Sequence, residues 1–162
     1  MNVPLDPPGG APPSIDDRLG LDHERLDSLL EQCGRAVGAR TGEASRLLDT
    51  FATALLAHME WEEKHLFPAV KARSSARSQR SIESLEIDHE RIRQTLSEAR
   101  SGIDGSDWTG AAQALSNAAV FLEGHNYDEE HGVYVEADQL LGPDARRLLL
   151  EAFERAREAA KG

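Results

Sequence analysis

Four histidines and two glutamates recur in one pattern, written twice along the chain. His23, His58 and Glu62 stand as His-x34-His-x3-Glu, and His89, His125 and Glu129 as His-x35-His-x3-Glu. The flanking residues repeat as well. Asp22-His23-Glu24-Arg25-Leu26 returns 66 residues later as Asp88-His89-Glu90-Arg91-Ile92, and the doublet Glu62-Glu63 returns after 67 as Glu129-Glu130. Imidazole nitrogen with carboxylate oxygen and no thiolate suits iron, manganese or zinc, and does not suit copper(I) or an iron–sulfur cluster. If Glu62 and Glu129 each bridge two ions, each ion receives two imidazoles and two carboxylate oxygens. An ion that takes about six bonds then keeps positions for water, oxygen, peroxide or nitric oxide. The pattern therefore predicts a two-metal centre.

Such a centre needs elements that bring six side chains to one place. Aromatic residues are few and charged helix formers are abundant, so the chain reads as all-α. Caps and breakers mark five helices. The first starts at Ser14, with Asp17 as a capping-box variant, and ends near Gly38. The second runs from Thr41-Gly42 to about Ala72, and a Ser/Arg-rich connection from Ser74 to Arg80 leads into the third, which ends at Gly102–Gly105. The fourth starts at Ser106-Asp107 and reaches about Leu140. Gly142-Pro143-Asp144 opens the fifth, which ends near Lys161.

At 100° per residue, Leu19, Leu26, Leu30 and Val37 fall within about 60° of His23, as do Leu85, Ile92, Leu96 and Ile103 about His89. Leu47, Phe51, Ala54 and Leu55 share the face of His58 and Glu62. Ala114, Ala118, Phe121 and Leu122 share that of His125 and Glu129. The midpoints between successive histidines, Arg40-Thr41, Arg73-Ser74 and Asp107, lie in predicted loops. Each reversal returns the next donor to the level of the last, so an up-down-up-down four-helix bundle delivers six donors into one layer. The predicted organisation is a lead-in over 1–13, a bundle over 14–140, and a C-terminal helix over 141–162 that packs on the bundle or on a partner copy as a homodimer contact.

A polar core without metal is the alternative. Burying two carboxylates without cationic partners costs several kcal/mol each, and only Arg93 lies near that level, which favours the metal. His65 falls within about 20° of the ligand face and is a candidate further nitrogen ligand or hydrogen-bond partner. His131 lies about 120° off its face and reads as a surface residue. Trp61 and Tyr127 point away from the site and read as packing, Cys33 as a buried inert thiol, and Glu24, Glu63, Glu90 and Glu130 as solvated charge.

The net charge of −11 removes the phosphate attraction that nucleic-acid binding needs, and no basic stripe suits an anionic membrane. Apolar runs are too short to span a bilayer. One cysteine excludes an internal disulfide, and residues 1–13 have neither the basic nor the apolar region of a secretory signal, so a cytoplasmic single-domain protein is expected.

His23, His58-x3-Glu62, His89 and His125-x3-Glu129 resemble the hemerythrin-like, or HHE cation-binding, domain. The phrase Glu62-Glu63-Lys64-His65-Leu66-Phe67-Pro68 is similar to that family, and Glu129-Glu130-His131-Gly132-Val133-Tyr134 echoes it. The resemblance implies a non-haem centre of two iron ions bridged by Glu62 and Glu129. It further implies binding or sensing of a small ligand, oxygen or nitric oxide, with a di-iron enzyme (oxidase, peroxidase or catalase-like), or iron storage and delivery for repair of iron centres, as alternatives. The four-His, two-Glu pattern resembles the iron-sensing and repair branches more than the oxygen carriers. Those place two histidines four apart on the third helix, where this chain has Arg93. No general acid–base pair or organic pocket stands out beyond the donors, which weighs against an elaborate enzyme.

Overall fold

The structure, a computed structural model, describes residues 10–161, and every regular element among them is helical. Helix α1 spans Ile15–Gly38, and the Ser14 hydroxyl accepts from the Asp17 amide at 3.1 Å, as the cap signal predicts. Asp138, far along the chain, accepts from the Ile15 and Asp16 amides and ties this end down. Helix α2, Ala44–Trp61, passes without a break through a π turn, Glu62–Leu66, into the short α3, Phe67–Lys71. Ser75 caps α4, Ala76–Asp104, so residues expected in a connection up to Arg80 are already helical. Helix α5, Trp108–Asp128, repeats the earlier arrangement: a π turn, Glu129–Val133, and then α6, Tyr134–Leu140. Helix α7 is Pro143–Lys161.

Helix α1 packs on α2 and α5, and α4 packs on the same two, which closes the four-rod bundle. The reversals fall at the histidine midpoints. Two of them end alike: Arg40 and Ser106 adopt φ of 53° and 59°, and the next amides, Thr41 and Asp107, reach back to Ala36 and Gly102 at 3.0 and 2.8 Å. This is a helix stop normally built on glycine, here carried by residues with a Cβ.

Two apolar clusters fill the bundle. One contains Leu26, Phe51, Leu55, Ile92 and Leu122, the other Leu19, Trp61, Phe67, Leu85 and Tyr134, and the histidine layer lies between them. Phe121 departs from expectation, being 41% exposed. The buried stripe of α5 runs through Leu115, Ala118 and Leu122, to the other side of His125, and leaves Phe121 on the rim.

Helix α7 lies against α2. Its Phe153 is fully buried, edge-on to Trp61 at 5.0 Å and to His58 at 5.8 Å between ring centroids. Arg18 pairs with Glu154 at 2.6 Å across the α1–α7 boundary. Most of the expected lead-in lies outside the described residues; of its described part, Pro13 is buried. No described helix is long and apolar enough to cross a membrane.

Candidate metal centre

His23, His58, Glu62, His89, His125 and Glu129 are all buried, each at most 4% exposed, and meet in one layer. His23 and His89 come from the middles of α1 and α4. His58 and His125 sit in the last turns of α2 and α5, and the two glutamates open the π turns one helical turn further on. The donors divide into two groups whose ligating atoms lie within 4.8 Å of one another: Glu62, His89, His125 and Glu129; and His23, His58 and Glu129.

Each glutamate presents one oxygen to each half. Glu62 Oε1 lies 3.4 Å from His58 Nε2, and its Oε2 lies 3.4 Å from His89 Nε2. Glu129 Oε2 is 3.2 Å from His23 Nε2, and its Oε1 is 2.9 Å from His125 Nε2. Glu62 Oε2 and Glu129 Oε1 are buried with no hydrogen-bond donor. Two bare anionic oxygens facing two imidazole nitrogens are costly on their own and fit a cation between them. The residues present thus fit a divalent metal in either group of donors.

Behind the imidazoles stands a second repeated set. Glu130 bonds to His23 Nδ1 and Glu63 to His89 Nδ1, each at 2.7 Å, so the second glutamate of each doublet supports a histidine of the other half. Arg93 in turn grips Glu63 through both carboxylate oxygens at 2.9 Å. Asp22, almost wholly buried, bonds to His58 Nδ1 at 2.8 Å and is itself held by Arg25. Its counterpart Asp88 stands 3.8 Å from His125 Nδ1, which has no hydrogen-bond partner. Glu63 and Glu130 are therefore not solvated charges, whereas Glu24 and Glu90 are exposed as expected.

Charges in this layer reinforce one another. Burial opposes protonation of His58, but Glu62 and the Asp22 hydrogen bond outweigh it and raise its pKa to about 10. His89 is likewise raised to about 10, burial being overcome by the carboxylates of Glu129 and Glu62 that face it. Burial and Glu129 push Glu62 up, yet His58 and His89 hold it below the usual carboxylate range. Burial also acts against ionised Glu129, and His125, His23 and His89 together hold it far lower still.

His65 is not in the layer. Its side chain is exposed on the outer surface, beside Lys64 and the end of α7. The π turn inserts about one extra residue, and each residue is worth roughly 100° of phase, so the position that a uniform helix aims inward swings out. His131 is exposed as expected, stacked on Tyr127 with centroids 4.0 Å apart. Trp61 packs in the core, while Tyr127 is largely exposed.

The same insertion brings in a residue that the sequence reading passed over. The Tyr134 amide bonds to Glu129 O, five residues back, and its fully buried phenol enters the layer. The hydroxyl donates to Glu62 Oε1 at 2.5 Å and lies 3.0 Å from Glu129 Oε2, 3.1 Å from His23 Nε2 and 3.3 Å from His58 Nε2. Burial and the two glutamates hold this phenol well above its ordinary pKa.

An open groove of about 940 Å³ runs between α1 and α5 and passes Glu130 and His23, with Leu30, Leu115 and Ala119 in its walls. It is the approach from solvent to the His23 side of the layer. A family model described as the hemerythrin HHE cation binding domain matches residues 14–137, which take in all six donors. No curated protein and no solved structure matches the chain.

Proposed function

The chain belongs to the hemerythrin HHE cation-binding domain family, and from that membership and the donor layer we propose a non-haem di-iron protein that binds or senses a small oxidant or diatomic ligand, oxygen or nitric oxide. The observation that carries the reading is the division of both glutamates between the halves, one oxygen each way. His23 and His58 would hold one ion and His89 and His125 the other, with Glu62 and Glu129 shared between them. Two iron ions would supply redox chemistry and coordination positions for the small ligand.

The surrounding residues fix this constellation. Glu63, Glu130 and Asp22 orient three of the imidazoles and direct their Nε2 atoms inward. Phe67 stacks on His89 and Phe153 lies edge-on to His58, so an apolar ring covers one histidine of each half. Arg93, four residues after His89, turns to Glu63 and adds no nitrogen to the layer. That supports a place among the four-His, two-Glu branches over the oxygen carriers, and with it sensing over reversible carriage.

The test is anaerobic loading with iron(II), metal analysis, and optical spectra before and after oxygen, peroxide or nitric oxide. Two ions per chain are expected, with sharp losses in His58→Ala and Glu129→Ala. One ligand should be taken up in fixed ratio, with a spectral change and little sustained turnover. Protein that holds no iron after loading overturns the metal reading. A reduced, loaded protein whose spectrum ignores all three ligands overturns the small-ligand reading. Consumption of oxygen or peroxide over many cycles would make the protein an enzyme.

A further inference from the structure

The internal repeat is broken at one functional position. Shifted by 67 residues, Tyr134 corresponds to Phe67, each being the first residue after its π turn. Both rings lie beside equivalent histidines: Phe67 stacks on His89 at 5.7 Å between centroids, and Tyr134 is tilted against His23 at 5.5 Å. The two halves differ there by one hydroxyl, and that hydroxyl reaches the donors.

Its surroundings are wrong for an ordinary hydrogen bond. Four atoms lie within 3.3 Å of the oxygen: two carboxylate oxygens and two imidazole Nε2 atoms. The Nδ1 atoms of His23 and His58 already face the carboxylates of Glu130 and Asp22, so in the neutral form that metal binding requires, both imidazoles turn Nε2 lone pairs toward the space beside the phenol. A hydroxyl has one proton, and it can satisfy one of the four. Five lone-pair donors around one small space form a cation's ligand set.

The distances agree. Bonds of about 2.1 Å at right angles put neighbouring donors about 3.0 Å apart. The phenol oxygen stands 2.5–3.3 Å from all four other donors of its half, the spacing that neighbouring ligands of one ion would have, and His23, His58 and Glu129 lie within 4.8 Å of one another. In the other half His89, His125, Glu62 and Glu129 supply four atoms and Phe67 supplies none.

Resting on the metal-centre reading above, we propose that Tyr134 is a fifth protein ligand to the ion held by His23 and His58, so that the two ions are inequivalent, one with five protein donors and the other with four. On coordination the phenol oxygen keeps its lone pair for the metal, and its proton leaves to water.

Resonance Raman and visible spectra of the iron-loaded, oxidised full-length protein test this, together with metal content and release to a chelator. The wild type should show tyrosinate ring modes and a tyrosinate-to-iron(III) charge-transfer band. The chain has two tyrosines, and Tyr127→Phe should keep both signals. Tyr134→Phe should lose them while still binding two ions, and one ion should leave faster by at least the roughly tenfold cost of losing an outer hydrogen bond. Iron-loaded wild type with two ions per chain and no tyrosinate signal overturns the proposal, whether or not Tyr134→Phe folds. So does retention of the signal in Tyr134→Phe. Failure of the wild type to hold iron would instead defeat the metal-centre reading beneath it.

Discussion

At the scale of single residues, the donors are half of the arrangement and the groups behind them are the other half. A carboxylate on Nδ1 fixes the ring and makes Nε2 a better donor. Glu63→Ala and Glu130→Ala are expected to lower metal affinity about 10- to 100-fold each. Asp88→Ala should change it far less, because Asp88 stands 3.8 Å from His125 and its side chain is 25% exposed. Competition with a coloured chelator measures all three, and an Asp88→Ala loss as large as that of Glu130→Ala would contradict the assignment. The inward placement of His23, His58, Glu62, His89, His125 and Glu129 was legible from spacing, because one helical turn separates His58 from Glu62 and His125 from Glu129. The supporting carboxylates were not. On a helical wheel Glu63 points sideways from Glu62, and sideways was equated with solvent. In a bundle, sideways is also toward the next helix, where His89 waits. The repeated Glu-Glu and Asp-His doublets pointed that way, but repetition did not separate them from Glu24 and Glu90, which also recur beside His23 and His89 and are exposed.

At the scale of elements, the π turns decide which side chains reach the layer. A uniform 100° step puts His65 inside and leaves Tyr134 without a role; one inserted residue per turn reverses both. The four-helix order and reversal points were legible because caps and midpoints are local signals. The π turns were not, since i→i+5 bonding leaves no composition signature and is supported by packing of Leu66, Phe67, Val133 and Tyr134 in the core. The helix stops show a second effect of element geometry. Arg40 and Ser106 sit at positive φ, where a Cβ costs about 1–2 kcal/mol, although Gly38 and Gly105 are close by in sequence. Arg40→Gly and Ser106→Gly should each stabilise the fold by about 0.5–1 kcal/mol, the remainder being offset by the greater freedom of glycine in the unfolded chain. Denaturant titration reads this directly. Destabilisation by both would show that the Arg40 and Ser106 side chains, not their backbone angles, set these turns.

At the scale of the whole molecule, a charged layer is held between two apolar clusters, and what balances its charge governs stability. In protein stripped of metal, protonated imidazoles must neutralise Glu62 and Glu129. The pKa of His58 in the folded chain is about 10 against an ordinary 6.5, so its contribution is fully present below the lower value and is lost as pH rises through the higher. His89 behaves in the same way. The two glutamates run the other way: held below 4.5, they contribute above that value and lose it as pH falls through their depressed range. Stripped protein should therefore melt at a lower temperature as pH rises from about 7 to about 10, the window in which the imidazoles lose their protons. Iron-loaded protein should not follow, because bound cations replace those protons and remain as pH rises. The gap in melting temperature between loaded and stripped protein is thus expected to widen with pH, and calorimetry of both forms across that range measures it. A stripped protein whose melting temperature is level from pH 7 to 10 would mean that the carboxylates are neutralised by something other than His58 and His89.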